Sequence, residues 1–347
     1  MPRDTIQSMK YDSDPIFDPS EQDKESAKRA RLWRIVLAAA LLVLLTAAVL
    51  LVFHIKNGTP EPVACTANAE ATAAPSPSVA QAESEPSAED GLLVVFLDVG
   101  QGDAIFLRSP SGKTMLVDGG PESAFSVLQD YLDAHGVIGL DAVVASHLHA
   151  DHIGGLIQLI DVYPVVQFYD PPFDAESETY YDLLDALNEN NVPVLSPLAS
   201  ANSFIDWDDE VEIRILSPYS IDYGRIDDFN DTSYVLRVTY QNTSVLLTGD
   251  ATQVAEKLAL KALPDSYFKA DVLKVGHHGS EDATSERFLD AVDPSIAVIS
   301  CGTDNQYGHP DEELLDRLTN RNITIYRTDE DGTVTLLLDG TNVKVIQ

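Results

Sequence analysis

The sequence predicts a layered α/β domain over residues 91–347, and three observations lead to this prediction. Apolar strand-like runs of both the alternating and the continuous kind occur from Gly91 onward. Helix-like stretches lie between these runs. The segment is about 257 residues long, and the chain is 44% hydrophobic, which is enough to fill a sizeable core. Strands that alternate with helices over such a length are typical of layered α/β domains.

The individual elements follow from local patterns. Runs rich in Val, Ile and Leu and bounded by Gly, Asp or Ser predict strands. In chain order they are LLVVFLDV, AIFLRS, TMLVDGG, DAVVAS, SVLLTGD, ADVLKV, SIAVIS and VTLLLD. Stretches with helical spacing of apolar residues predict helices. They cover residues 123–134, 153–161, 179–190, 252–263 and 311–320.

An apolar segment before the domain predicts a transmembrane helix. Residues 35–53 (IVLAAALLVLLTAAVLLVF) contain no charged side chain, and nineteen helical residues span roughly the 30 Å hydrocarbon layer. A buried core helix or a cleaved signal peptide would also be apolar. This segment, however, is apolar on every side, and its polar leader is over thirty residues long. We therefore predict a single membrane span at 35–53.

The flanking segments set the expected topology. Residues 1–34 are polar and end in a basic cluster, so the positive-inside rule predicts a cytoplasmic N-terminus and an extracytoplasmic location for the rest of the chain. Residues 54–90 are rich in Ala, Pro, Ser, Thr and Glu, which predicts a disordered linker. The expected protein is thus anchored in the cell membrane by one N-terminal helix and carries a folded domain at 91–347.

The charge balance limits the partners of this domain. The chain has 22 Lys and Arg against 56 Asp and Glu, a formal net charge of -34. Such a field repels polyanions, so nucleic acid is a possible partner but is not favoured by charge. The two cysteines, Cys65 and Cys301, lie in very different segments and indicate no disulfide framework.

The strongest chemical signal is the stretch SHLHADHIGG behind the apolar run DAVVA. It places His147, His149, Asp151 and His152 within six positions on a loop that leaves a strand. His147 and His149 can point one way while Asp151 and His152 turn the other, so two metal subsites can share one loop. Imidazole and carboxylate ligands suit zinc, manganese or iron. Packing alone explains one buried histidine but not three with an aspartate.

Other stretches offer candidate ligands and catalytic groups. Asp250 in VLLTGDA ends an apolar strand and fits a bridging carboxylate, although Gly-Asp after a strand is also an ordinary turn. His309 in YGHP is the candidate for a further ligand. In KVGHHGS, one of His277 and His278 is expected to ligate the metal and the other to donate a proton or to orient the attacked group, and the spacing does not decide which.

Two further aspartates are candidates for supporting roles. Asp103 in LDVGQGDA and Asp118 in MLVDGG each follow a strand-like run. Either can be a plain turn former. In the functional interpretation, Asp118 accepts a hydrogen bond from a ligand imidazole and holds it in one tautomer.

The ordered series LDVGQGDA, DGG, SHLHADHIGG, LLTGD, KVGHHGS and YGHP resembles the metallo-β-lactamase superfamily. Within it, the series is similar to the C-terminal hydrolase domain of competence protein ComEC. The resemblance covers about residues 91–347. It implies an αββα sandwich with one or two divalent ions at the sheet edges, metal-activated hydroxide as the nucleophile, and hydrolysis of ester, phosphoester or phosphodiester bonds. Asp151, His277 and His278 are then the expected catalytic residues.

One departure from the family pattern concerns the metal ligands. Dinuclear members carry a further histidine between the first motif and the bridging aspartate, but this chain has no histidine from 153 to 276. Asn230 and Ser233 stand in that region. An amide oxygen is a weaker ligand than imidazole, so the subsite of His147 and His149 is expected to bind loosely or to prefer manganese over zinc.

Three functions stay open from the sequence. The first is a membrane-anchored, nuclease-like hydrolase of phosphodiester or phosphoester bonds, with a small-molecule or polymeric substrate. The second is hydrolysis of another ester, such as a lactone, a β-lactam or a phosphorylcholine ester, which the negative charge of the chain favours. The third is a non-catalytic, metal-stabilised binding module of the envelope, which the missing histidine favours.

Overall fold

The computed structural model describes residues 91–219 and 229–346. The predicted cytoplasmic segment, membrane helix and linker at 1–90 lie outside this part of the chain. Within the described ranges, none of the helices combines the length and the apolar character that crossing a membrane requires.

Fifteen strands form two sheets in the described residues. The first sheet has the order β15-β14-β1-β2-β3-β4-β5-β6 and the second the order β13-β12-β11-β10-β9-β8-β7. Their bounds, in chain order, are β1 Leu92–Phe96, β2 Ile105–Arg108, β3 Thr114–Val117, β4 Ala142–Val144, β5 Phe168–Tyr169, β6 Val194–Leu195, β7 Phe204–Ile205, β8 Val211–Ser217, β9 Val235–Tyr240, β10 Thr243–Leu247, β11 Val272–Lys274, β12 Ile296–Ile299, β13 Thr324–Arg327, β14 Val334–Leu338 and β15 Val343–Ile346.

Helices cover the outer faces of the sheets. They are α1 Phe125–Ala134, α2 Ala150–Val162, α3 Glu178–Glu189, α4 Gln253–Ala262, α5 Glu286–Val292, α6 Glu312–Thr319 and the single turn α7 Thr328–Asp331. Short 3₁₀ turns occupy Glu122–Ala124, Phe229–Thr232, Asp265–Tyr267 and Gly276–Gly279.

Three apolar layers confirm the αββα sandwich over the described residues. Because successive side chains of a strand point to opposite faces, Val94 and Phe96 of β1 enter the layer between the two sheets, while Val95 enters the layer under α1–α3. The second sheet divides in the same way, with Val245 in the central layer and Leu246 under α4–α6. Each sheet is thus buried on both faces, which explains why its strands read as nearly continuous apolar runs.

The topology brings distant segments of the chain to one edge. Strands β3, β4 and β5 run parallel in the first sheet, and β10, β11, β12 and β13 run parallel in the second. Loops at the carboxyl ends of parallel strands lie together, and this is where ligands bind in α/β folds. The loops after β3, β4, β10 and β11 carry four of the six sequence motifs, namely DGG, SHLHADHIGG, LLTGD and KVGHHGS.

Candidate metal centre

The first motif begins a helix instead of lying wholly in a loop. The backbone amides of His152 and Ile153 both donate to the carbonyl of His149 at 3.0 Å, so α2 starts at Ala150, three residues before the predicted start. His149 is the residue that caps the helix. Asp151 and His152 therefore lie in the first helical turn, whose regular geometry fixes their directions.

Asp250, just after β10, lies among the histidines of the motifs. Its Oδ2 is 3.3 Å from His152 Nε2, 3.4 Å from His278 Nε2 and 3.8 Å from His147 Nε2. Its Oδ1 is buried and has no hydrogen-bond partner among the described residues. The backbone comes this close because Gly249 has a positive φ of 50°, and a Cβ there would meet Ser146 Oγ at 2.7 Å. One carboxylate is thus shared by three imidazoles.

The hydrogen-bond partners of two imidazoles direct the Nε2 atoms of the two rings toward one another. His152 Nδ1 lies 2.9 Å from Asp118 Oδ2, and His278 Nδ1 lies 3.0 Å from the carbonyl of Ser300. Both partners are acceptors, so each Nδ1 carries the proton and the Nε2 of the neutral ring carries a lone pair. The two Nε2 atoms nevertheless face each other at 3.2 Å. Two neutral rings would repel at that distance, so the arrangement calls for a positive charge at this point, either a proton on one ring or a bound cation.

A second group of donor atoms lies beside the group around Asp250 Oδ2. His147 Nε2 and His149 Nδ1 are 3.1 Å apart, and the rings of His147 and His152 are 4.1 Å apart between centroids. Asp151 Oδ2 lies 3.5 Å from His278 Nε2. The donors thus form two groups that share Asp250, which fits the preference of divalent zinc or manganese for imidazole and carboxylate.

The electrostatics of the cluster also favour a positive charge. Burial alone would lower the pKa of His152, but the carboxylates of Asp250 and Asp118 raise it well above its ordinary value. Burial likewise opposes charge on His278, yet Asp250 and Asp151 raise its pKa to about 9. The pKa of Asp250 lies well below its usual range, because His278 and His152 outweigh the effect of burial.

A cavity of about 360 Å³ opens onto this cluster. Its walls are formed by Gln101, His149, Ala150, Asp151, Asn230, Asp250, His277, His278, Tyr307 and His309. The cavity therefore gives a substrate access to the shared carboxylate. A larger cleft of about 610 Å³ adjoins it and shares Gln101, Asp151 and Tyr307 as walls.

The structure separates the two histidines that the sequence left ambiguous. His278 belongs to the cluster. His277 lines the cavity, with Nδ1 3.0 Å from Asp282 Oδ1 and Nε2 3.2 Å from Asn230 Nδ2. Both histidines adopt left-handed φ values, 49° and 51°. Strain of this kind is typical of functional positions in a protein.

His309 lies at the wall of the cavity and not in the cluster. Its ring centroid is 5.6 Å from that of His277 and 5.7 Å from that of Tyr307, on which it stacks. Its Nε2 is 3.8 Å from Asp311 Oδ2. Its predicted role as a metal ligand stays a prediction.

The supporting residues hold the cluster through hydrogen bonds to its side chains and backbone. Asp118 binds His152 through Oδ2 and accepts the backbone amide of Ser146 through Oδ1 at 2.6 Å, and Ser233 Oγ accepts the amide of Asp250 at 3.2 Å. Asp103 is closer to the centre than sequence reasoning assumed. One ligand atom from each of Asp103, His152, Asp250 and His278 lies within 4.8 Å of the others.

Four contacts escaped sequence reasoning: those of Ser146, Lys274, Asp282 and Ser300. Ser146 Oγ lies 3.1 Å from His147 Nδ1, and Lys274 Nζ lies 2.9 Å from Asp103 Oδ2. Ser146 and Lys274 are near the motifs in sequence, which was the one available signal. Nothing in the sequence separates Ser300 from other strand-end residues, because it binds His278 through its backbone.

Comparisons with known proteins agree with this geometry. A family model described as the metallo-beta-lactamase superfamily matches residues 97–303. The chain is 31% identical over 258 residues to "ComE operon protein 3" of Bacillus subtilis, covering 70% of this chain and 32% of that protein. It is 33% identical over 245 residues to "Recombination protein 2" of Haemophilus influenzae, covering 69% and 28%.

A third relative, "Competence protein ComA" of Neisseria gonorrhoeae, is 32% identical over 257 residues, covering 74% of this chain and 34% of that protein. The chain thus spans about a third of the length of these relatives. The predicted resemblance to the ComEC-type domain is confirmed by these matches.

Proposed function

The chain belongs to the metallo-β-lactamase superfamily, and from this we propose that its domain is a divalent-metal-dependent hydrolase of phosphodiester or phosphoester bonds. The observation that carries the proposal is the convergence of the Nε2 atoms of two buried imidazoles, His152 and His278, on Asp250 Oδ2. A packing role would not place the Nε2 atoms of two buried rings 3.2 Å apart beside a buried carboxylate. The names of two relatives, which refer to recombination and competence, favour a phosphodiester substrate.

The donor set divides into two metal subsites. His147, His149 and Asp250 would hold one ion, and Asp151, His152, Asp250 and His278 would hold the other. A bound divalent ion supplies Lewis-acid polarisation of the scissile group and a reactive nucleophile from water near neutral pH. Asn230 lies at the cavity wall, in the part of the sequence where the family resemblance places a further imidazole in dinuclear members, and this supports manganese over zinc at the first subsite.

His277 is the best candidate for the proton donor to the leaving oxygen. It lines the cavity but stays outside the ligand cluster, and Asp282 fixes its ring through Nδ1. A general acid must reach the reacting group while its own orientation is held by a neighbour. Asp151 lines the cavity and its side chain is 33% exposed, so it can contact a bound substrate as well as His278.

A second candidate function rests on the charge of the cleft. No Lys or Arg occurs among the described residues that line either cavity, whereas Glu122, Asp151 and Asp182 do. A long polyanion would meet repulsion there. This favours a neutral or cationic ester, such as a lactone, a β-lactam or a phosphorylcholine ester, as the alternative substrate.

The decisive experiment is a metal-dependent hydrolysis screen. We expect the purified full chain, supplied with Mn²⁺ or Zn²⁺, to cleave bis-(p-nitrophenyl) phosphate, and Asp250→Asn to lower kcat/KM at least about a hundredfold. Asp141→Asn is the matched control, because Asp141 accepts the backbone amide of Thr114 at the opposite end of β4. No turnover of the diester or of an ester panel with any divalent ion would contradict the proposal and favour a binding module.

The membrane location is proposed on the sequence of residues 35–53 alone. The nineteen uncharged residues and the basic cluster before them favour a single-pass anchor with the domain outside the cytoplasm. Protease added to intact cells should then degrade the domain and spare the N-terminal segment. Recovery of the intact chain in the soluble fraction would contradict this topology.

A further inference from the structure

Asp103 and Lys274 form a fully buried ion pair beside the candidate metal centre. Lys274 is the last residue of β11, and Asp103 lies between β1 and β2. Nζ and Oδ2 are 2.9 Å apart, and both side chains have an exposed fraction of 0%. Lys274 Nζ also donates to the carbonyl of Val275 at 2.8 Å. The Lys274 ammonium is therefore held between one carboxylate oxygen and one carbonyl.

Stability alone does not explain this pair. Removing two charges from water costs several kcal/mol per ion, and well-packed apolar residues often replace a buried ion pair without loss. The contacts around the pair indicate a role in the candidate metal centre. Asp103 Oδ1 is 3.6 Å from His278 Nδ1, while the backbone amide of Asp103 donates to the carbonyl of Asp151 at 3.3 Å. Asp103 thus lies beside His278 of the KVGHHGS motif and the backbone of Asp151 in the SHLHADHIGG motif.

Lys274 decides what the Asp103 carboxylate can do. A carboxylate oxygen of Asp103 lies within 4.8 Å of ligand atoms of His152, Asp250 and His278, so distance alone would allow it to bind a cation. An ammonium at 2.9 Å occupies Oδ2 and repels a second cation. What remains is Oδ1, which faces the Nδ1 edge of the His278 ring.

We propose that Lys274 and Asp103 are a positioning pair for His278. Lys274 fixes Asp103, whose Oδ1 is a buried charge 3.6 Å from His278 Nδ1. The Ser300 carbonyl accepts the Nδ1–H, and the two groups together orient the ring so that its Nε2 faces Asp250. This inference rests on the proposed metal centre. It gives the LDVGQGD motif a role: the loop carries a carboxylate that orients a ligand from the other sheet.

The test compares metal binding by the full chain with and without the pair. In Asp103→Asn/Lys274→Met both charges are removed together, so no unpaired charge is buried. We expect this variant to unfold at nearly the same denaturant concentration as the unmodified chain, while its Kd for Mn²⁺ rises about ten- to a hundredfold. The absorption spectrum of bound Co²⁺ should also change, and kcat should fall more than KM rises.

Two further variants keep the outcome unambiguous. Arg317→Met removes another buried cation, whose guanidinium binds the carbonyls of Ala283 and Thr284, and it should lower stability without changing the Kd for Mn²⁺ or the Co²⁺ spectrum. If the double variant does not fold, Asp103→Asn/Lys274→Gln, which also removes both charges together, gives the same readouts. Unchanged Mn²⁺ affinity and Co²⁺ spectrum in the folded variant would overturn the pair's role alone. Failure of the unmodified chain to bind any of these ions would overturn the metal centre as well.

Discussion

Asp170 is a buried carboxyl at the end of β5 with a pKa far from its ordinary value. It is 5% exposed, and its Oδ1 has no hydrogen-bond partner among the described residues. Burial raises its pKa from 3.8 to about 7, although the hydroxyl of Tyr180 donates to Oδ2 at 2.9 Å and opposes the shift. The folded protein therefore keeps this proton at pH values where the unfolded chain has lost it.

This pKa predicts a loss of stability with rising pH. Below pH 3.8 both states hold the proton. Between 3.8 and about 7 only the folded state does, so the contribution of Asp170 to the free energy of unfolding falls through that window, by about 4 kcal/mol in total. Asp170→Asn does not titrate, so its stability relative to the unmodified chain should rise between pH 4 and 8. Denaturant titrations across this range measure the difference.

The control for this prediction is a neighbouring exposed carboxyl. Asp174→Asn should leave the pH profile of the unmodified chain in place, since Asp174 is exposed and its contribution to the pKa of Asp170 comes after those of burial and Tyr180. If the stability curves of Asp170→Asn and the unmodified chain stay parallel from pH 4 to 8, Asp170 is ionised in the folded state.

At the residue scale, the candidate metal ligands could be identified from the sequence more readily than the residues that position them. His147, His149, Asp151 and His152 stand within six positions, a density that packing does not produce. The contact between Asp103 and Lys274 joins positions 171 residues apart in the chain, 274 minus 103, and depends on how two sheets stack. Similarly, only the folded backbone distinguishes His278, in the cluster, from His277, at the cavity wall.

Helix α2 connects the packing of an element to the geometry of the site. It carries Asp151 and His152 in its first turn, and it approaches the β3 loop so closely that a Cβ on Gly155 would lie 2.1 Å from the carbonyl oxygen of Gly119. The obstacle is backbone, which cannot rotate away as a side chain can. Gly154 is equally close-packed, with a Cβ position 2.5 Å from the amide of Glu122.

We therefore expect Gly155→Ala to displace α2. The free energy of unfolding should fall by about 3 kcal/mol, the upper range for overpacking in a core. Affinity for Mn²⁺ should fall with it, because Asp151 and His152 move with the helix. Val162→Ala, at the exposed end of the same helix, should change neither quantity. Unchanged stability of Gly155→Ala would show that the close approach to Gly119 is not a constraint.

At the element scale, the strongly apolar elements were predictable and the short or polar ones were not. The buried strands β1, β3 and β14 fall within the predicted runs, and β10 begins one residue before its run, because both faces of each sheet are covered. By contrast, α5 has seven residues, fewer than two full turns, and is too short to show a helical period. Strands β5, β6 and β7 have two residues each and leave no periodic signal.

The distribution of charge is a property of the whole chain. No Lys or Arg occurs between Lys113 and Arg214, a stretch that includes α1, α2 and α3. These helices cover one face of the first sheet and supply Asp182 and other walls of the 610 Å³ cleft. The surface that leads to the candidate centre is thus acidic without a compensating cation from these helices. Electrostatic repulsion should slow the approach of any anion to the cleft.

This charge predicts how catalysis depends on salt. Raising the ionic strength from 0.01 to 0.1 M shortens the screening length from about 30 to about 10 Å. For an anionic phosphodiester at saturating Mn²⁺, kcat/KM should then rise about two- to fivefold, whereas it should stay nearly constant for a neutral ester.

Glu122→Gln/Asp182→Asn removes two charges from the cleft wall and should raise kcat/KM for the anion at low salt and flatten its salt dependence. Asp185→Asn/Glu189→Gln removes the same charge from exposed positions of α3 outside the cleft lining and should have a smaller effect. A phosphodiester whose kcat/KM falls as salt is added would mean that the substrate is attracted, and the acidic cleft would not be its route to the centre.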